Sequence, residues 1–213
     1  MPIEKRFIET DEIEIRSTTP DGGNEQKSVS GVGIVYNREA EIWPGFFERI
    51  KPGAFTRSIS SNREIKSFFN HDPNAVLSTT RSDPKLTIED TAAGLRFDSP
   101  IPPTTYGNDL KINLERKNVR GASFSFSVND EGDIITRDEK GVYHREIISG
   151  ELYEVGPVTN PAYPQTKVGL RGVETLVQEM RTRYESTQTT PKPPVEDVNK
   201  LRKLNLSLLE RGA

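Results

Sequence analysis

The chain has 213 residues, and 29 Lys and Arg against 32 Asp and Glu give a formal net charge of −3, without the basic excess that favours direct nucleic-acid binding. The absence of cysteine excludes disulfides, thiolate nucleophiles and cysteine-ligated metals, and two histidines are too few for a multi-histidine metal site, so no cofactor is expected. No run of about 18 apolar residues occurs, which predicts no membrane span and no secretory signal, and favours a cytoplasmic location.

The N-terminal region reads as two strands joined by a turn. Residues 7–16 alternate apolar and charged positions toward their end, which predicts one half-buried strand. Residues 28–36 predict a second strand that bends or bulges at Gly31 or Gly33, because glycine inside a strand pattern often marks such a site. With turn residues at 21–24, the pattern predicts an antiparallel start to the fold.

Short β-prone runs dominate the rest of the chain up to residue 184. The remaining predicted elements are a short helix at 54–59, a strand at 65–70, a hairpin at 86–90 and 94–98, a helix at 106–117, strands at 122–128, 134–137, 142–148 and 152–158, and a helix at 173–184. Counting these elements predicts an antiparallel α+β fold over residues 1–184.

The C-terminal region changes in composition. Residues 185–197 contain three Thr and three Pro, which predicts a flexible linker. Residues 198–213 carry Val198, Leu201, Leu204 and Leu208 at helical spacing, which predicts an amphipathic tail. Two interpretations of this tail stay open: it folds back on the core, or it docks on a partner or on another copy.

A row of alternating serines and aromatic residues provides the first candidates for a catalytic nucleophile. In a strand at 121–128, the two phenylalanines and Val128 share one face, while Ser123, Ser125 and Ser127 share the other. The aromatic face favours the core, so the hydroxyls face either a cleft or solvent. Periodicity alone does not choose between these alternatives or among the three serines.

Serine hydrolysis also needs a neutral imidazole to take the hydroxyl proton and a third group to fix its tautomer. Only His71 and His144 are available as the base. The parity of the strand at 65–70 places His71 at the end of a buried row, where side chains commonly reach a site. Glu154 shares an otherwise apolar strand face and therefore needs a hydrogen-bonding partner, for which an imidazole N–H is suitable.

Five blocks of sequence, in the correct order, resemble the prohead protease family of tailed double-stranded DNA phages. They are residues 47–55, 68–72, 94–97, 121–126 and 153–164. One block would be a weak signal, but the ordered set covers about residues 5–170 and is specific. The resemblance places the family's histidine on His71, its serine on Ser123 and its acidic residue on Glu154.

The resemblance implies a serine endopeptidase that acts inside the newly assembled procapsid, in the host cytoplasm. Such enzymes digest the scaffold or the scaffolding region of the major capsid protein, and they also cut themselves; here we expect self-cleavage within residues 171–213. The family is similar in fold to the herpesvirus assemblin proteases, which implies a mainly antiparallel β-barrel wrapped by a few helices. Since assemblin relatives dimerise, a homodimer stays open.

Several alternatives accompany this interpretation. The assemblin relatives use a second histidine as the third member of the triad, and His144 is the candidate for it, although Glu154 is favoured. Related chains often carry glycine at Ser125 and serine at Gly156, so Ser125 introduces a rival hydroxyl. A catalytically silent capsid assembly scaffold or capsid-binding module is the main alternative function, and a generic esterase fits the serine and histidine but not the ordered blocks.

Overall fold

Thirteen strands and three helices make up the described part of the chain. The computed structural model describes residues 3–9, 12–19, 25–159 and 167–189, with the backbone alone at 9, 167–173 and 189. The strands are β1 (Glu4–Glu9), β2 (Glu14–Thr18), β3 (Gln26–Val35), β4 (Ala40–Trp43), β5 (Phe46–Ile50), β6 (Lys66–Phe68), β7 (Val76–Thr79), β8 (Thr87–Asp90), β9 (Gly94–Pro100), β10 (Val119–Val128), β11 (Asp133–Arg137), β12 (Tyr143–Ile147) and β13 (Gly150–Thr159). The helices are α1 (Thr56–Ser60), α2 (Thr105–Glu115) and α3 (Lys167–Thr189).

The strands form three sheets. Sheet A has the order β1-β10-β13-β6-β7, sheet B has β2-β3-β9-β8, and sheet C has β11-β12-β5-β4. Most neighbours are antiparallel, whereas β6 runs parallel to β13 and β5 runs parallel to β12. The predicted α+β class is confirmed. The predicted barrel is not, because no sheet closes on itself within the described residues.

Aromatic packing determines which face of β10 lies toward the core. Phe124 and Phe126 are fully buried, and the ring of Phe55 meets theirs edge to face at centroid distances of 6.4 and 5.6 Å. Burying side chains of this size contributes about 1.5–3 kcal/mol each, so a one-residue shift of β10 would be strongly disfavoured. The serines of β10 are therefore held on the opposite face.

Gly33 allows sheet B to pack closely on sheet A. A Cβ at this position would lie 2.5 Å from Cγ2 of Val155 and 3.3 Å from the ring of Phe97, the first of which is closer than carbon atoms approach without displacement. The pairing of β3 with β9 also shifts between Val32 and Ile34, which confirms the bulge predicted near Gly33. The glycine thus brings β3 against the strand that carries Glu154.

The prediction of a single strand at 7–16 is wrong. This region contains β1 and β2, which belong to different sheets because β1 pairs with β10 and β2 pairs with β3. The antiparallel pairing of β2 with β3 is as expected. None of the predicted strands covers the β4–β5 hairpin, in whose turn Gly45 has a φ of 71°. The predicted helices at 54–59 and 106–117 correspond to α1 and α2.

The C-terminal prediction is covered only in part by the structure. The helix expected at 173–184 is α3, which runs to Thr189, so the first five residues of the predicted 185–197 linker are helical. The rest of that linker and the predicted tail at 198–213 lie outside the described residues. The chain divides into two units between Glu174 and Thr175, within α3. Of the helices described, none is both long and apolar enough to cross a membrane.

Candidate active site

Ser123 lies in the middle of β10, between β1 and β13. Its register partners are Phe7 on β1 and Gly156 on β13. Ser123, Ser125 and Ser127 are only 3–4% exposed, so the alternative of a solvent-facing serine row is wrong. Because each of these hydroxyls is buried, each requires a hydrogen-bonding partner.

His71 lies in a tight turn, and the prediction that it ends a strand is wrong. β6 ends at Phe68, and Asn70 and His71 have φ angles of 55° and 59°. The amide of Asp72 donates to the carbonyl of Phe69 at 3.1 Å, which closes a turn whose two central residues have positive φ. Such a backbone costs a residue other than glycine about 1–3 kcal/mol, so neighbouring contacts must hold it.

Asn70 fastens this turn to β13. Its Oδ1 accepts hydrogen bonds from the amide and the hydroxyl of Thr159, at 2.8 and 3.1 Å. Its backbone amide donates to the carbonyl of Pro157 at 3.1 Å. Since β13 also carries Glu154, these three bonds fix the position of His71 relative to that carboxylate.

His71 bridges Ser123 and Glu154. Its Nε2 lies 2.5 Å from the Oγ of Ser123, and its Nδ1 lies 2.8 Å from the Oε1 of Glu154. The side chains of His71 and Glu154 are 20% and 8% exposed, so this contact is largely protected from water. A carboxylate on Nδ1 favours the tautomer with the proton there, which leaves the Nε2 lone pair facing the serine hydroxyl.

The hydroxyl of Ser123 has a second partner. Its Oγ lies 2.8 Å from the backbone carbonyl of Arg6 on β1. A carbonyl only accepts hydrogen bonds, and the hydroxyl has one proton, so Ser123 donates either to Arg6 or to His71 at a given moment. When Arg6 takes the hydrogen bond, His71 can bond the serine oxygen only with a proton on Nε2. The arrangement suited to nucleophilic attack is therefore the one with a neutral His71.

A buried ion network holds β1 beside the serine. Arg6 contacts Glu4 and Glu48, each at 2.6 Å, and Arg145 contacts Glu4, Glu48 and Asp133 at 2.8, 2.8 and 2.6 Å. Burial by itself raises the pKa of Glu48, but the charges and hydrogen bonds of the two arginines outweigh it and hold that pKa below its usual value. The network joins β1 to strands of sheet C and so fixes the carbonyl that contacts Ser123.

The hydrogen-bonding and charged partners of His144 are not Ser123, His71 or Glu154. His144 lies on β12 of sheet C, with Nδ1 2.9 Å from Glu39 and Nε2 3.6 Å from Asp138. The hydrogen bond with Glu39 raises the pKa of His144, while burial acts in the other direction. The position on His71 where a third triad member would bind is occupied by Glu154, so the structure does not bring His144 there.

The other serines of the row have their own partners. Ser125 donates to Oε2 of Glu154 at 3.3 Å, and Ser127 shares a hydrogen bond with the hydroxyl of Tyr153 at 2.9 Å. Neither the Ser125 bond nor the contact with the Arg6 carbonyl could be predicted from sequence, because both depend on strand register. Across the described residues, no group of three or more His, Asp or Glu side chains is arranged to hold a metal ion.

A buried serine, imidazole and carboxylate connected in series form the arrangement characteristic of serine hydrolases. A model of the caudovirus prohead serine protease family matches residues 11–181. The chain therefore belongs to this family of phage serine proteases of capsid maturation, and the resemblance seen in the five sequence blocks is confirmed.

The comparison with solved structures finds the capsid assembly protease gp21 of bacteriophage T4. It is similar with a TM-score of 0.48 and 12% sequence identity, over 75% of this chain and 97% of that chain. No curated protein matches this sequence.

Proposed function

We propose that this protein is a serine endopeptidase in which Ser123 is the nucleophile, His71 is the general base and Glu154 orients His71. One observation carries the proposal: the uninterrupted series of contacts from the Ser123 hydroxyl through both ring nitrogens of His71 to Glu154, at 2.5 and 2.8 Å. The three residues come from β10, the turn after β6, and β13. Membership of a serine protease family supports the assignment of roles.

The reaction follows from the positions of the protons. Nε2 of neutral His71 removes the hydroxyl proton as the Ser123 oxygen attacks the peptide carbonyl carbon, giving a tetrahedral intermediate and an imidazolium. Glu154 stabilises that imidazolium through the Nδ1–H bond. The imidazolium then gives its Nε2 proton to the leaving amine as the C–N bond breaks, which leaves an acyl-enzyme. Water, deprotonated by His71, then attacks the acyl carbon. As the ester bond to the Ser123 oxygen breaks, His71 returns the proton to that oxygen and the product leaves with a new carboxyl end.

For substrates, we propose the scaffold or the scaffolding region of the major capsid protein, inside the procapsid in the host cell, and the chain itself. Membership of the prohead protease family supports this setting. A protease needs an extended peptide, and residues of α3 would have to unwind to supply one. Within the 171–213 region expected from sequence, we propose that self-cleavage falls in the Pro-rich sequence after Thr189, whose composition is typical of a linker.

Active-site labelling separates an enzyme from a silent assembly module. Wild-type protein is expected to react with a fluorophosphonate and to carry the adduct on Ser123, as mapped by peptide mass spectrometry, whereas Ser123→Ala is not labelled. Incubation with capsid and scaffold polypeptides should give cleavage products with the wild type alone. Intact mass should show C-terminal trimming that Ser123→Ala prevents. A wild-type protein that resists labelling and leaves these polypeptides intact would favour the silent scaffold.

A further inference from the structure

Ser125 contacts the acidic member of the proposed triad from the side away from His71. Its Oγ donates to Oε2 of Glu154 at 3.3 Å, while Oε1 of the same carboxylate accepts from His71 at 2.8 Å. Ser125 and Glu154 are register partners on β10 and β13, and they are 4% and 6% exposed. The two carboxylate oxygens are thus engaged by two different donors.

A buried carboxylate needs such donors, because removing a charge from water is costly unless hydrogen bonds replace hydration. The other charged groups near this pair in register are Lys66 on β6, opposite Glu154, and Lys5 on β1, opposite Ser125. Both lysine side chains are exposed, so they retain water as a partner. Among the side chains that the structure describes, only His71 and Ser125 form hydrogen bonds with the Glu154 carboxylate.

We propose that Ser125 is a positioning residue: its hydroxyl fixes the rotation of the Glu154 carboxylate so that Oε1 stays aimed at Nδ1 of His71. This inference rests on the proposed function of the triad. It also removes Ser125 as a rival nucleophile, because its oxygen is directed to a carboxylate and the base is occupied by Ser123. Without the bond, the carboxylate is free to rotate, and the imidazole loses part of its restraint.

The same strand offers a matched control. Ser127 lies two residues beyond Ser125 and is 4% exposed, as Ser125 is. Its hydroxyl pairs with Tyr153 and not with Glu154. Ser125→Ala and Ser127→Ala therefore delete the same atom at equal burial, but only the first variant removes a contact to the triad.

The decisive measurement is nuclear magnetic resonance of the full chain labelled with ¹⁵N-histidine. With only two histidines, each imidazole can be assigned by single substitution, and His144 serves as an internal reference. In the Ser123→Ala background, which prevents self-digestion, the Nδ1 proton of His71 is expected downfield and in slow exchange with water. Adding Ser125→Ala should move it upfield and speed its exchange about tenfold, as expected for loss of one hydrogen bond to a charged group. Ser127→Ala should change neither.

The rate of fluorophosphonate labelling provides a second test. With Ser123 present, Ser125→Ala should slow fluorophosphonate labelling about tenfold, Ser125→Cys should slow it less because the thiol is a weak donor, and Ser127→Ala should leave it within about twofold. Thermal unfolding identifies a variant that is merely misfolded. An unchanged His71 Nδ1 signal in Ser125→Ala would overturn this inference alone, whereas an adduct mapped to Ser125 would overturn both this inference and the assignment of Ser123 as the nucleophile. Absence of labelling in the wild type would instead overturn the proposed function.

Discussion

Replacing Glu154 by glutamine tests the part of the proposed triad that the sequence left most open. The substitution keeps the size of the side chain and removes its charge. In the wild type, Oε1 of Glu154 accepts a hydrogen bond from Nδ1 of His71, and Oε2 accepts one from Ser125. In the variant, an amide oxygen can still face His71 if the amide NH₂ turns to Ser125, whose hydroxyl can accept as well as donate. If the amide turns the other way, the NH₂ group faces Nδ1 and the tautomer is wrong.

These two orientations set the magnitude of the effect. With the oxygen toward His71, the main loss is the attraction between carboxylate and imidazolium, about 4 kcal/mol at about 4 Å with an effective dielectric constant near 20, or roughly 10³-fold in rate. With the amide reversed, the loss approaches the roughly 10⁴-fold seen when a triad loses its tautomer. Because Ser125 permits the favourable orientation, we expect a decrease nearer to 10³-fold.

The second-order rate constant of fluorophosphonate labelling measures this decrease without a known substrate. Glu151→Gln is the matched control, since Glu151 is also on β13 but lies 3.4 Å from Arg63, outside the triad. It should label within about twofold of the wild type, because exposed ion pairs contribute little. Urea unfolding of each variant confirms that the fold is retained.

The outcome that would refute the reasoning is specific. If Glu154→Gln labels within about tenfold of the wild type while His144→Ala loses most of its reactivity, then Glu154 does not orient the base in solution. The assemblin-type triad would then be the correct description, and the Glu154 contact would serve stability alone.

Two further predictions concern the elements that hold the site. Asn70→Ala should lower the free energy of unfolding by about 1–3 kcal/mol and slow labelling, because it removes the side-chain bonds to Thr159 and a residue that tolerates positive φ. Asn70→Gly should recover part of the stability but not the bonds. Equal stability of the wild type and both variants in urea would contradict this prediction. Arg145→Met should cost about 3–5 kcal/mol near neutral pH, because Asp133 loses its contact with Arg145 and the buried carboxylates of Glu4 and Glu48 must share Arg6 alone. Since the pKa of Glu48 is held below its usual 4.5, the stabilisation that this carboxylate receives is complete above pH 4.5 and is lost as the pH falls through the lowered pKa of the folded state. The difference in unfolding free energy between variant and wild type should therefore narrow in acid. A constant difference from neutral to acidic pH would exclude this electrostatic origin.

Elements whose apolar residues follow a single strand or helix period could be predicted from the sequence. The alternation in β10 identified the face of Ser123, and helical spacing identified α2, because packing against one core face imposes these periods. Sheet membership was not readable: β1 and β2 lie close together in the chain yet belong to different sheets. Non-local pairing decides that, and neighbouring residues do not encode it.

The direction of His71 is the clearest case in which a pattern misled. Strand parity at 65–70 placed it at the end of a buried strand row, but that reason does not apply, since β6 ends at Phe68 and Asn70 and His71 form a turn with positive φ. An Asn-His pair with positive φ is compatible with such a turn. The sequence carried no signal for the hydrogen bonds that stabilise this turn, which join Asn70 to the end of β13.

Gly156 explains how that turn reaches the serine. It is the register partner of Ser123. A Cβ here would lie 2.4 Å from the carbonyl oxygen of Phe68 and 3.1 Å from Oγ of Ser67, so a side chain would push β6 away from β13. Because His71 follows β6 by only three residues, any such displacement would carry the imidazole with it. The glycine therefore lets β6 lie close enough to β13 for a 2.5 Å contact between His71 and Ser123.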